Sequence, residues 1–109
     1  MTIEEYLKGK KILIFGIGRQ GGGLGDANYL AQHGYQVRAT DILSSEELGH
    51  APSDYAEGLE LSLGSHREAD IDWCDLVIKN PGVEGDHPLI LRAKEKGIDV
   101  YTSISLLVK

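Results

Sequence analysis

The sequence has a single cysteine and no long apolar run. Both features limit the cellular compartments and membrane arrangements that the sequence predicts. The single Cys74 permits no disulfide within the chain. The first residues, MTIEEYLKGKK, lack the basic and apolar segments of a signal peptide. No run approaches the ~20 apolar residues that a membrane-spanning helix needs. These features predict a cytoplasmic protein with no membrane partner.

Basic residues are scarce as well. Lysine and arginine number 11 against 17 aspartates and glutamates, which gives a net charge of −6. Such a chain repels the phosphate backbone of a nucleic acid at long range. The one basic cluster, Lys8, Lys10 and Lys11, is typical of a solvated strand entrance. We therefore expect no nucleic-acid partner.

Signals of catalysis and of metal binding are also missing from the sequence. It contains no G-x-x-x-x-G-K-[ST] loop, the usual cradle for the phosphates of ATP. Histidines stand at positions 33, 50, 66 and 87 without metal-ligand spacing, and each is expected at the surface or at a helix cap. Cys74 precedes an apolar run and is expected to be a small buried hydrophobic residue. We expect no cofactor or metal in this domain and no catalysis by the chain alone.

The remaining sequence alternates apolar runs with helical patterns. Strands are predicted at 10–16, 35–41, 59–64, 75–80 and 98–103. Helices are predicted at 24–34 and from Asp86, a candidate N-cap, to 97, with a short helical turn or two in 42–58 and a loop or single turn in 65–74. This order predicts one Rossmann-like α/β domain over 1–109, an open, mostly parallel five-stranded sheet of order 3-2-1-4-5 with helices on both faces.

A glycine-rich segment, IFGIGRQGGGLGD at 14–26, follows the first predicted strand and opens the first predicted helix. Within it, G-I-G-R-Q-G matches the dinucleotide-binding fingerprint. Gly16 and Gly18 permit a sharp turn and close backbone approach, and Gly21 removes a side chain where helix meets strand. The start of the helix favours an anion. Asp41 stands about twenty residues further on, where the fingerprint expects a carboxylate for a ribose hydroxyl.

Other interpretations of these residues stay open at this point. Asp41 also suits an exposed strand-end or helix-capping acid, and the glycines also suit a purely structural turn. Arg19 suits either a phosphate contact or a solvated side chain. Ligands of such sheets bind at the carboxyl ends of the strands, where Gly64 and the Asn80-Pro81-Gly82 turn also fall.

Six segments together resemble one known family. They are GKKILIFGIGRQG, YQVRATD, LSLGSH, KNPGV, DHPLILRAKEKGI and VYTSISLL, and they cover essentially the whole chain in order. In this combination the chain resembles the N-terminal domain of the Mur ligases, above all the branch that adds D-glutamate in peptidoglycan synthesis. Two segments depart from the family pattern: GGLGD at 22–26 replaces small residues such as serine and alanine, and TSISLL lacks an acidic residue common there.

The resemblance implies a site for the UDP part of UDP-N-acetylmuramoyl-L-alanine instead of a dinucleotide. By position in the family motifs, the predicted contacts are Gly18, Arg19, Gln20 and Gly21 for the diphosphate, Asp41, Ile42 and Leu43 for the uracil, Gly64 for the same pocket, and Asn80 for the phosphate or sugar.

The resemblance also implies a larger enzyme with an ATPase domain and a C-terminal domain as partners. ATP, with Mg²⁺, activates the substrate carboxylate as an acyl phosphate, and the incoming amine displaces phosphate. The chain stops after SLLVK in a predicted helix, so we expect an excised N-terminal domain. The alternatives are a stand-alone NAD- or nucleotide-binding regulatory domain and an interaction module with structural glycines. The KNPGVEGDHPLI segment favours the Mur ligase interpretation over these alternatives, because a plain dinucleotide-binding domain does not need this segment.

Overall fold

The computed structural model describes residues 2–18 and 22–102, and its centre is a parallel five-stranded sheet. The strands are β1 (Lys11–Phe15), β2 (Gln36–Asp41), β3 (Glu60–Leu63), β4 (Leu76–Lys79) and β5 (Asp99–Tyr101). Their order is β3-β2-β1-β4-β5, and every neighbouring pair is parallel. The predicted Rossmann-like architecture and strand order are confirmed. Each predicted strand is one to three residues longer than the observed one, and position 103 of the fifth lies outside the described residues.

The helices connect these strands and cover both faces of the sheet. They are α1 (Ile3–Leu7), α2 (Gly22–Gln32), α3 (Ser45–Leu48), α4 (Glu68–Trp73) and α5 (Pro88–Glu95), with a 3-10 helix at Pro52–Asp54. Helix α1 was not predicted from the sequence. At its start, the Thr2 hydroxyl accepts a hydrogen bond from the Glu5 N–H. None of the helices in the described part of the chain is long and apolar enough to cross a membrane.

The start of α5 differs from the prediction. The N-cap is His87 and not Asp86, because the His87 Nδ1 accepts the Leu89 N–H at 3.1 Å. Pro88 then occupies the first helical position, where its fixed φ and missing N–H fit best. The prediction that histidines lie at the surface or at caps is therefore confirmed for His87.

Two apolar layers hold the sheet between the helices. Along β1, Ile12 and Ile14 face α2, whereas Leu13 and Phe15 face α4 and α5. All four are essentially inaccessible to solvent, which is typical of a strand in a parallel sheet covered on both faces. Cys74 belongs to the second layer, and its burial raises the pKa of the thiol to about 11. The interpretation of Cys74 as a small hydrophobic residue is confirmed.

The glycines at the start of α2 have different structural roles. Gly23 is buried, and a Cβ there would lie 2.2 Å from the Gly16 carbonyl oxygen. Gly25 is exposed, and a Cβ there would meet nothing within 4 Å. Gly23 therefore permits the close packing of α2 on the end of β1, whereas Gly25 only lowers helix propensity.

Replacing these two glycines by alanine should change stability in opposite directions. We expect Gly25→Ala to raise the free energy of unfolding by about 0.5 to 1 kcal/mol, because alanine favours helix. Gly23→Ala should lower it by about 1 to 3 kcal/mol, because the backbone must move to admit the methyl group. Urea denaturation of both variants measures the two effects. Equal shifts of the same sign would contradict this assignment.

Candidate functional site

The candidate site lies where β1 and β4 end side by side. The chain leaves β1 through α2 toward one side of the sheet and enters β4 from the other side, so the two strand ends flank a crevice. Phe15 is paired with Lys79, and the Asn80 N–H donates to the Phe15 carbonyl at 2.9 Å. The turn after β1 and the turn after β4 are thus neighbours at the carboxyl edge of the sheet.

Gly16 and Gly18 are required by both conformation and space. Their φ angles are +103° and +76°, a region that other residues rarely adopt. A Cβ on Gly16 would lie 2.8 Å from the Asn80 Cβ, and one on Gly18 would lie 3.3 Å from the Asn80 Nδ2. The close approach of Asn80 is therefore one reason why glycine stands at both positions. The fingerprint interpretation explained these glycines only by the sharp turn and by the close approach of a ligand.

The Asn80 amide is oriented by its own turn. Its Oδ1 accepts the Gly82 N–H at 2.8 Å, which directs its Nδ2 toward the glycine turn. Among the described residues, Nδ2 donates to the Gly16 carbonyl at 3.5 Å, which is long for a hydrogen bond. Asn80 therefore presents a donor with remaining capacity at the crevice.

Asp41 is a buried carboxylate bonded to backbone N–H groups. It is 6% exposed. Its Oδ2 accepts from Ile17 at 2.8 Å and from Gly18 at 3.1 Å, while its Oδ1 accepts from Leu43 at 2.9 Å. The interpretation of Asp41 as an exposed strand-end acid is wrong, because the carboxylate links the end of β2 to the turn after β1. A contact between Asp41 and a ligand stays a prediction.

His50 contacts the same turn from another direction. Its Nε2 lies 2.8 Å from the Gly18 carbonyl oxygen, and the Tyr55 ring meets the imidazole edge-on at 6.2 Å. The ring is half-buried, so the expectation of a surface or capping histidine missed this contact. Nothing in the spacing of His50 within its loop indicates it, because the contact spans 32 residues of sequence.

His66 and His87 meet over Phe15, although they are 21 positions apart in the sequence. His66 stacks on the Phe15 ring at 3.9 Å, and His87 approaches His66 perpendicularly at 5.8 Å. The Thr40 Oγ1 lies 3.0 Å from the His66 Nδ1. Beside them is a cavity of about 420 Å³. Its lining residues are Ile42, His66, Gly82, Val83, Glu84, Asp86, His87 and Pro88.

The environment of His66 disfavours its charged form. Burial lowers the pKa of its imidazole, the charge of Asp41 opposes this shift, and His87 lowers the pKa further. The net direction is downward, because the cost of removing the imidazolium from water exceeds the attraction of the nearby carboxylates.

The other predicted contacts lie at the same edge where the structure describes them. Ile42 is 62% exposed at the cavity mouth, and Leu43 is half-buried with its carbonyl accepting the Gly64 N–H at 3.1 Å. Gly64 is exposed with a φ of +92°. Arg19, Gln20 and Gly21 lie outside the described residues. The roles of all nine predicted contacts stay predictions.

The parallel sheet is doubly wound and has a glycine turn and an asparagine turn on either side of a crevice. These features define the domain as Rossmann-like. The family model described as Mur ligase MurD-like, N-terminal domain matches residues 10–102. The chain therefore belongs to this family of Mur ligase N-terminal domains.

Similar proteins agree with this assignment. The chain is 38% identical over 102 residues to a UDP-N-acetylmuramoylalanine--D-glutamate ligase of Trichlorobacter lovleyi, covering 92% of this chain and 22% of that protein. It is 35% identical over 104 residues to the ligase of the same name from Ligilactobacillus salivarius, covering 95% and 22%. The chain thus spans about a fifth of the length of the curated relatives it matches.

A solved structure shares the fold as well. The crystal structure of UDP-N-acetylmuramate-alanine ligase MurC from Thermotoga maritima matches with a TM-score of 0.67 and 26% identity. The match covers 89% of this chain and 21% of that one. The fold of this domain is therefore shared by Mur ligases of different names.

The stability of the protein should fall on acidification partly because of His66. Since the pKa of His66 is lower in the folded than in the unfolded protein, the unfolded chain takes up a proton first. The stabilising effect of the neutral ring is present above pH ~6.5, the ordinary pKa of histidine, and is lost as pH falls through the lower folded pKa. His66→Gln should lose less stability than the parent between pH 7 and 5, as measured by urea midpoints. His33→Gln, at an exposed position, should keep the parental slope. An unchanged slope in His66→Gln would disprove the assignment.

Proposed function

We propose that the carboxyl-edge crevice of this Mur ligase domain binds the UDP part of UDP-N-acetylmuramoyl-L-alanine, for the ATP-dependent addition of D-glutamate in peptidoglycan synthesis. The observation that supports this most is the Asn80 amide, oriented by Gly82 and directed at the glycine turn. The names of the similar ligases supply the substrate class.

The chemistry of the crevice suits a diphosphate. The turn after β1 leads directly into the N-terminus of α2, an 11-residue helix whose first N–H groups favour an anion. Asn80 adds a side-chain donor from the opposite side of the crevice. Since Asp41 occupies the Ile17 and Gly18 N–H groups, the diphosphate would be bound further along, toward α2 and Asn80.

The uracil ring would lie against 41–43 and Gly64. Within the described part of the chain, the Asp41 Oδ1 accepts a hydrogen bond from Leu43, and a carboxylate oxygen accommodates two. Uracil offers one ring N–H that suits the second position. The exposed Ile42 side chain supplies an apolar surface beside it.

In this proposal the chain binds and orients the substrate, and other domains perform the reaction. ATP and Mg²⁺ would supply carboxylate activation in the ATPase domain of a longer ligase. The missing ATPase and C-terminal domains would be the partners of this domain, in the cytoplasm. An excised single domain over 1–109 and a catalytically inactive chain stay predictions.

NAD is the comparison ligand, because the glycine fingerprint alone also permits it. A dinucleotide domain uses the acidic residue after β2 for the ribose hydroxyl. Here Asp41 is nearly buried, and both of its oxygens accept backbone N–H groups. Among the residues that the structure describes, one acceptor position is left on Oδ1, which suits the single ring N–H of uracil but not the two adjacent hydroxyls of a ribose, and this favours a uridine nucleotide over NAD.

Titration of the purified chain should therefore rank uridine nucleotides above NAD. We expect weak binding of UDP and of UDP-N-acetylmuramoyl-L-alanine, since parts of the substrate would contact domains outside this chain. Isothermal calorimetry with the three ligands measures the ranking. Tighter binding of NAD than of either uridine nucleotide would exclude the proposal.

Asn80→Asp should weaken binding of the diphosphate selectively. The variant keeps an oxygen for the Gly82 N–H but replaces the amide donor by negative charge. We expect at least a tenfold loss of UDP affinity, about 1.4 kcal/mol, and little change for uridine, which has no diphosphate. Gln36→Glu is a matched control, because it adds the same charge at the exposed start of β2, at the opposite edge of the sheet. Equal losses in both variants would show that overall charge, and not Asn80, determines affinity.

A further inference from the structure

Gly18 is hydrogen-bonded through both of its backbone groups to side chains outside its own turn. Its N–H donates to the Asp41 carboxylate at 3.1 Å, and its carbonyl oxygen lies 2.8 Å from the His50 Nε2. A carbonyl oxygen only accepts, so the His50 Nε2 donates and carries a proton. The side chains of Asp41, at the end of β2, and His50, in the segment that follows, thus orient one residue of the turn after β1.

The segment that contains His50 is fixed at both ends. Before it, Leu48 is buried in the core, and Gly49 ends α3 with a φ of +76°. After it, the Asn28 side chain of α2 donates to the Asp54 carbonyl at 2.6 Å and accepts the Ala56 N–H at 2.8 Å. The imidazole therefore approaches Gly18 from a segment already held against α2.

We infer that His50 is a positioning residue for the turn that binds the nucleotide phosphates. Its Nε2–H donates to the Gly18 carbonyl oxygen and so keeps this oxygen directed at the imidazole. A carbonyl oxygen carries partial negative charge, and turning it toward the crevice would repel an anionic ligand. By retaining this oxygen, His50 keeps the turn in the conformation that accepts a diphosphate, without touching the ligand.

The same contact connects the two halves of the proposed site. Asp41 is the last residue of β2, and residues 42–43 and His50 follow it in one continuous segment, whereas Gly18 belongs to the turn after β1. Asp41 joins these segments at the Gly18 N–H, and His50 joins them again at its carbonyl. The uracil side and the phosphate side of the site are thus held in one relative position by two separate bonds.

Two variants of similar size separate hydrogen bonding from packing at this position. His50→Leu keeps bulk against Tyr55 but removes the donor, whereas His50→Gln retains an N–H donor of similar reach. His33→Leu is the matched control, because His33 is an exposed histidine whose Nδ1 contacts the Tyr29 carbonyl of its own helix.

The first measurement is amide hydrogen exchange of Gly18 by NMR in the ligand-free protein. The Gly18 N–H is bonded to Asp41, and the opening of the turn that releases it also breaks the His50 bond to the Gly18 carbonyl. We expect exchange about fivefold faster in His50→Leu, because losing that second bond makes the opening easier, and near-parental exchange in His50→Gln and His33→Leu. Parental exchange in His50→Leu would overturn the inference. Equal acceleration in His50→Leu and His50→Gln would also overturn it, since packing and not the donor would then be responsible.

The second measurement is UDP affinity, and this part rests on the proposed function. We expect His50→Leu to bind UDP about fivefold more weakly and His50→Gln to restore most of that loss, with thermal midpoints reported for each variant. Unchanged UDP affinity in a His50→Leu variant with accelerated Gly18 exchange would overturn the role in ligand binding. Absence of UDP binding by the parent chain would instead refute the proposed function, while the exchange data would still decide whether His50 positions the turn.

Discussion

The carboxylate of Asp41 is the interaction on which the candidate site depends. It accepts three backbone N–H groups, two from the turn after β1 and one from the segment after β2. Hydrogen bonds to a charged acceptor are stronger than neutral ones, and three of them offset the cost of burying the charge. The adjoining strand ends are therefore held in register by one side chain, and Asn80, His50 and the start of α2 are arranged around the turn that it fixes.

Glycine at this edge serves the packing of protein on protein as much as any ligand. Gly16 leaves room for Asn80, and Gly23 leaves room for the Gly16 carbonyl. The unusual GGLGD segment is thus explained in part, because Gly23 has a close-packing role of the kind that the fingerprint assigns to its third glycine. Gly25 has no such role in its surroundings.

The fold was predictable because its signals are local. Apolar runs such as 10–16 and the glycine stop after α2 determine strand, helix and parallel order from neighbouring residues, and the Asn80-Pro81-Gly82 turn marked the end of β4 correctly. The bonds of the site were not predictable in this way. Asp41 was singled out, but its binding to Ile17 and Gly18 depends on the register of β1 and β2. The contacts of His50 and the pairing of His66 with His87 join residues 32 and 21 positions apart, and no spacing rule relates them.

This chain spans about a fifth of the length of its curated relatives. The bonds at the carboxyl edge of the sheet explain how a domain of this size holds a defined crevice. Among the described residues, the bonds that shape the crevice come from Asp41, Asn80 and His50 of this domain. The central strands β1 and β4 are buried on both faces by the domain's own helices, which supports the two strand ends that flank the crevice. Pre-organisation lowers the ordering cost of binding, whereas affinity also depends on the number of contacts. Under the proposed function, the geometry for recognising a nucleotide would reside in this domain, and contacts from other domains would add affinity without having to create the site.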